Sequence, residues 1–179
     1  WGDRTGRDSI LVTSETPVPG TAIPGTVEII KRVWKTRHTF PGAAGTYILR
    51  VEDRNRGAFI ENMDNSVDVP FTVETTLRIP IKPNSSVILL NDPIDRACVA
   101  SLLIYNAGAF DTNGDSIAYE IASSKTFGGA TAPGYTFPSS SKSIMVDPVS
   151  GDLIWDSPKE AGLYNVALLI KEYRNGIFV

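Results

Sequence analysis

Cysteine is almost missing from this chain. Cys98 is the only one in 179 residues, so no internal disulfide can form and stability must come from packing. Histidine is equally scarce. His38 and Cys98 together fall short of the roughly three protein ligands that a catalytic zinc needs, and no Gly-x-Ser-x-Gly elbow offers the histidine an activated serine. No apolar run approaches the ~20 residues of a membrane span, and no basic-then-apolar leader is legible after Trp1. Seventeen basic residues against 20 acidic ones give a net charge of −3, without the basic stripe that phosphate binding requires. Direct membrane insertion, nucleic-acid binding and histidine-based hydrolysis are thereby set aside.

What is present is punctuation. Fifteen glycines and 12 prolines are spread along the chain, and apolar stretches of helical period are few. The pattern is that of short strands and many turns. Ile10-Leu11-Val12 is a short strand candidate, Thr13 to Thr26 reads as loop, and Val27 to Trp34 alternates partially and reads as a strand. Ser66 to Ile79 alternates over a long reach with Pro70 inside it, which implies an edge position or a bulge. In the second half Val87 to Leu90, Cys98-Val99 with Leu102 to Tyr105, Ile117 to Ile121 and Tyr135 to Phe137 are strand candidates. Ile144-Met145-Val146 and Leu153-Ile154-Trp155 form a hairpin about the turn Asp147 to Asp152, and Asn175-Gly176 starts another.

Two stretches organise the rest. Ala161-Gly162-Leu163-Tyr164 opens a run to Glu172 that suits a central strand, with a glycine turn followed by a tyrosine. A tyrosine there can bury its ring and bond its hydroxyl back to nearby backbone. Gly45-Thr46-Tyr47 opens the run to Val51 in the same way, about one sandwich domain earlier. The expected fold is therefore all-β: two tandem immunoglobulin-like β-sandwich domains, residues 1–80 and 81–179, each with its own core. The boundary is placed at the proline-bearing stretch from Pro80 to Ser86.

Trp1-Gly2-Asp3, His38-Thr39-Phe40-Pro41-Gly42 and Gly45-Thr46-Tyr47 together resemble the PKD domain, an immunoglobulin-like sandwich of extracellular proteins. The resemblance implies that the first domain lacks its leading strands, while the return strand that begins at Ile177 is expected to be cut short. Asp111-Thr112-Asn113-Gly114-Asp115, Pro133-Gly134-Tyr135, Asp147 to Trp155 and the run after Gly162 are similar to cadherin-like and putative-Ig repeats. The pair is similar to the tandem modules of large surface and gliding-motility-associated proteins of Bacteroidetes-type bacteria, which implies an exported surface location and an adhesive or scaffolding role. Asn113 departs from the Asp-x-Asp-Gly-Asp turn of such repeats. The second cysteine found near the Pro83 position in close bacterial relatives is also missing.

Asp111, Asn113 and Asp115 alternate as oxygen ligands of calcium would, with Gly114 permitting the bend. Calcium takes about 6–8 ligands, however, and a hairpin held by Asx bonds to backbone is the stronger reading. His38 reads as a packing residue at a strand end, and Cys98 as a buried, inert thiol. Trp34 and Tyr135, with Trp155, could form an aromatic platform for a sugar ring, although Trp155 reads as core because it closes an alternating strand. No pair of carboxylates stands out for glycoside chemistry. The expected function is a non-catalytic extracellular structural or adhesion module of a larger surface or secreted protein. Its partner would be a protein or a polysaccharide at the cell surface. The alternatives are a carbohydrate-binding module, with or without calcium, and an accessory domain of a secreted enzyme.

Overall fold

The computed structural model describes residues 1–6, 9–18, 30–41, 44–79 and 83–179. Apart from two short 3-10 turns, every regular element among them is a β-strand. None of the described residues forms a helix long and apolar enough to cross a membrane.

Strand β1 (Val12–Pro17) pairs antiparallel with β2 (Ile30–Trp34). The start of the expected loop, Thr13 to Pro17, is thus strand: Thr13 and Thr16 are β-branched and suit a pleated backbone, and the pairing outweighs the polar composition. Residues 19–29, including the expected start of the second strand, lie outside the described residues. Strand β3 (Gly45–Asp53) pairs with β4 (Phe71–Ile79) without a break, from Gly45 opposite Ile79 to Asp53 opposite Phe71.

The expected strand from Ser66 is shorter than its alternation suggests. Ser66–Asp68 is a 3-10 turn, because the Ser66 hydroxyl donates to the Gly57 carbonyl (2.8 Å) and accepts from the Ile60 amide (3.1 Å). Such side-chain bonds to backbone compete with a ladder. Pro70 immediately precedes β4 instead of sitting within it, a place where its missing N–H costs nothing.

The second half holds β5 (Ile88–Leu89), β6 (Leu102–Asn106), β7 (Ala109–Phe110), β8 (Ser116–Ala122), β9 (Ser140–Val146), β10 (Asp152–Pro158), β11 (Ala167–Arg174) and β12 (Ile177–Phe178). They form antiparallel sheets in the orders β6-β10-β9, β12-β11-β8 and β5-β7. Alternation along β10 buries Leu153 and Trp155 on one face. Tyr119 of β8 is buried with its ring over Gly151, the last residue of the β9–β10 turn. A Cβ on Gly151 would fall 2.6 Å from that ring, and φ is +78° there, so glycine is required twice over. The Asp147 carboxylate holds the same turn by accepting from the amides of Val149 (2.8 Å) and Ser150 (2.7 Å). Asn175 and Gly176 both have positive φ, as a two-residue hairpin loop between β11 and β12 needs.

Three expectations are corrected. Cys98 lies in a turn before β6, where the Ser101 amide reaches the Cys98 carbonyl (3.2 Å) and Ala100 has a φ of 60°, so the thiol is exposed and not buried. Tyr135 to Phe137 is not a strand. The run after Gly162 becomes strand only at Ala167, because residues 163–165 are drawn off to bond residues 60–62. Tyr164 therefore precedes the strand, yet its hydroxyl donates to the Glu160 carbonyl (3.1 Å) and its ring meets Trp155 edge-on at 5.0 Å.

One buried cluster draws residues from both halves. Met63 and Val69 from the first half pack with Ala132 from the second, and Ile60 and Tyr135 lean against them. Among the described residues of the first half, β1–β2 and β3–β4 form two separate two-stranded sheets. Residues 80–82, where the boundary was placed, lie outside the described residues.

Candidate functional site

The polar crossing between β3 and β4 is densely bonded. Arg56 is 7% exposed. Its Nε donates to the Val69 carbonyl (3.4 Å), its Nη2 to the carbonyls of Pro70 (3.1 Å) and Lys125 (2.6 Å), and its Nη1 to Ser124 Oγ (3.0 Å) and Asn165 Oδ1. A guanidinium has five N–H groups, and each has an acceptor here. None of the acceptors is a carboxylate. Burial accordingly lowers the Arg56 pKa from its ordinary value, although an arginine remains protonated throughout the usual pH range. The planar group also lies over the Phe71 ring, 5.2 Å from its centroid.

Asn62, 4% exposed, extends the same junction. Its Nδ2 donates to the carbonyls of Thr136 (2.8 Å) and Asn165 (2.9 Å), and its Oδ1 accepts from the Asn165 amide (2.9 Å). Backbone bonds run alongside, from Glu61 N to Leu163 O (2.8 Å), Asp64 N to Pro133 O (3.1 Å) and Thr136 N to Asn62 O (3.1 Å). Asn62 thus mimics a strand edge by offering both a donor and an acceptor to the neighbouring chain. The crossing of residues 54–70 is fastened on two segments of the second half, 124–136 and 163–165.

The Asp111 turn is built as an Asx motif. Asp111 Oδ1 accepts from the amides of Asn113 (2.8 Å) and Asp115 (2.8 Å). Asn113 Oδ1 accepts from the Ser85 amide (2.7 Å). Both oxygens of Asp115 are taken by Arg174, through Nε (2.7 Å) and Nη2 (2.6 Å). That fork holds the Asp115 carboxyl below the usual carboxylate range, against the opposing effect of burial. Of the three expected calcium ligands, only Asp111 Oδ2 remains uncommitted. Among the described residues no group of three or more His, Cys, Asp or Glu side chains is arranged to hold a metal ion. The donor set does not fit calcium.

Trp34 and Tyr135 are not brought together as a platform. Trp34, 46% exposed on β2, lines an open groove with Lys35, Thr36 and Arg37. Tyr135 packs on Met63, Val69 and Ala132, with its ring edge-on to Phe137 at 6.0 Å. Trp155 is core, 6% exposed, and its Nε1 donates to the Ser139 carbonyl (3.2 Å).

His38 stacks on Trp1 at 4.4 Å and meets Phe40 edge-on at 4.7 Å, and Phe40 leans on the buried Tyr47. Its Nε2 is 2.7 Å from Asp3 Oδ2. Burial alone would raise the Asp3 carboxyl. Bonds from the Thr5 hydroxyl and the His38 ring, then the Thr5 amide and the charge of His38, outweigh it and hold Asp3 well below the usual range. A carboxyl so depressed contributes stability that is fully present above its unfolded pKa of about 3.9 and is lost as the pH falls through the folded value. The expected result is that Asp3→Asn lowers the urea midpoint at neutral pH and that the gap to the parent protein closes in acid. A gap of constant size across that range would contradict the assignment.

Sequence reasoning missed Arg56, Asn62, Asn165 and Arg174. No family of proteins, no curated protein and no solved structure matches the chain.

Proposed function

We propose that the chain is a non-catalytic structural or adhesion module of an extracellular surface protein, in which two immunoglobulin-like β units are joined stiffly in tandem. The observation that carries this reading is the saturated junction around Arg56. A buried guanidinium whose five donors are all spent on acceptors from three segments resists bending, because opening the junction would leave a charge and its acceptors unpaired. A module that transmits tension or holds a binding surface at a fixed distance needs a joint of that kind. The histidine, stacked on Trp1, edge-on to Phe40 and bound to Asp3, fits a packing role.

A second reading rests on the Trp34 groove. An exposed indole flanked by Lys35 and Arg37 offers a stacking face and two cations, which suits a polysaccharide bearing acidic groups. Small-angle scattering together with a polysaccharide array separates the two. The spacer reading expects a particle without interdomain flexibility and no retained polysaccharide. Retention lost on Trp34→Ala would replace it with the binding reading.

A further inference from the structure

We infer that β6 is a docking edge for a second copy of this chain: two β6 strands pair antiparallel about Leu103 and join the β6-β10-β9 sheets of both copies into one continuous sheet. The inference goes beyond the spacer reading and does not rest on it.

Strand edges are usually guarded by charge, proline, a bulge or a covering neighbour, because their free N–H and C=O groups recruit other strands. Among the described strands of more than two residues, β6 (Leu102-Leu103-Ile104-Tyr105-Asn106) is the one that carries neither a charged residue nor a proline. The opposite edge of its sheet is guarded: β9 carries Lys142, its register with β10 shifts between Asp156 and Pro158, and β8 lies alongside it. Alternate residues of an antiparallel strand turn their N–H and C=O to one neighbour and then to the other. The Ser101 carbonyl accepts from the Ser157 amide (3.1 Å), which sets Leu103 and Tyr105 towards β10 and Leu102, Ile104 and Asn106 away from it. On that outer side the Asn106 carbonyl is met by Asn91 Nδ2 (2.7 Å), and the chain turns off at Ala100, whose φ is 60°. Among the described residues nothing bonds the outward N–H and C=O groups of Leu102 and Ile104.

Those two residues are their own complement. With a two-fold axis through Leu103, Leu102 of one copy stands opposite Ile104 of the other and the reverse, so every outward donor and acceptor of the two residues closes a ladder bond. A second copy fits because its free edge has the same length and spacing, and β6 brings no charge to repel itself. The side chains agree with the backbone. Leu102 and Ile104 are 58% and 56% exposed on the outer face, where Ile104 stands in register with Ile154 and Met145. Pairing sets Leu102 beside Ile104 across the seam and extends that apolar row from one copy into the other. The outer face of the β12-β11-β8 sheet carries the Lys171–Glu120 ion pair instead. So short a seam buries less than the roughly 1,200 Å² of total surface at the low end of stable complexes, which makes the dimer weak and concentration-dependent. It is also closed, because the outer edges of the joined sheet are the guarded β9 strands.

The test is sedimentation equilibrium from about 10 µM to about 1 mM on the parent chain, Ile104→Pro, Ile104→Lys and Val73→Lys, the last altering an exposed apolar residue of β4. Proline at 104 removes an N–H that faces away from β10 and so leaves the internal ladder whole, while lysine places a charge on the edge. The parent chain is expected to approach the dimer mass as concentration rises, and Val73→Lys to follow it. Both Ile104 variants are expected to associate at least about tenfold more weakly. Amide exchange on the parent chain alone gives a second reading: Leu102 and Ile104 should exchange more slowly at about 1 mM than at about 10 µM, and Leu103 and Tyr105 equally at both. A parent chain that stays monomeric at about 1 mM would overturn the inference and leave the edge to a foreign strand. So would an Ile104→Lys chain that dimerises like the parent, a dimer lost in Val73→Lys instead, or exchange at Leu102 and Ile104 that ignores concentration.

Discussion

Arg56→Met is expected to destabilise the chain by roughly 4 kcal/mol, the range for removing one partner of a buried charged network. Methionine keeps much of the side-chain volume but donates nothing, so the carbonyls of Val69, Pro70 and Lys125 and the oxygens of Ser124 and Asn165 all lose a donor at once. Those groups come from both sides of the junction. The loss should therefore appear as a lower urea midpoint and as faster amide exchange at Asn165 and Thr136, where the crossing is bonded. Arg56→Lys keeps the charge but offers only three donors without a planar fork, and should fall between the two. An Arg56→Met protein within about 1 kcal/mol of the parent would mean that the acceptors find water, the usual fate of exposed carbonyls.

Trp155→Ala is expected to cost about 3–5 kcal/mol, as large-to-small changes of a buried aromatic do. The ring is 6% exposed, edge-on to Tyr164, and anchored by its Nε1 to Ser139. Truncation would open a cavity between β10 and the segment before β11 and would also free the Tyr164 ring, whose hydroxyl bond to Glu160 fixes the approach to that strand. Trp155→Phe retains one ring but gives up the Nε1 bond and part of the packed volume, so a smaller loss of about 1–3 kcal/mol is expected. Equilibrium urea unfolding checks both. Equal losses for alanine and phenylalanine would place the stabilisation in the hydrogen bond instead of the packing.

The hairpins were legible because their signals are local. Asn175-Gly176 needs positive φ at both positions, and Leu153-Ile154-Trp155 alternates against Val146 and Ile144 through a turn closed by Asp147 and Gly151. The tyrosine bond was legible in chemistry and misplaced in register: Tyr164 bonds backbone as expected, but before the strand begins. What the sequence hid is long-range. Arg56 and Asn62 sit in a polar stretch that any surface loop would resemble, and their partners at 124–125, 136 and 165 are scattered far along the chain. The Asx bonds of Asp111 were legible in the same local way as the hairpins. The spacing of Asp111, Asn113 and Asp115 is a local pattern, whereas the partner of Asp115, Arg174, arrives from β11 by way of the fold. Cys98 was misread because an apolar neighbour, Val99, imitates a strand that begins only at Leu102.

Residual dipolar couplings measured on β3 and β4 and, in the same sample, on β8, β10 and β11 test directly whether the Arg56 junction makes the two halves one body. A single alignment tensor should fit both sets in the parent chain and split into two in Arg56→Met. Two different tensors in the parent chain would show that the halves move independently despite the bonds between them, and would remove the physical basis of the stiff tandem module.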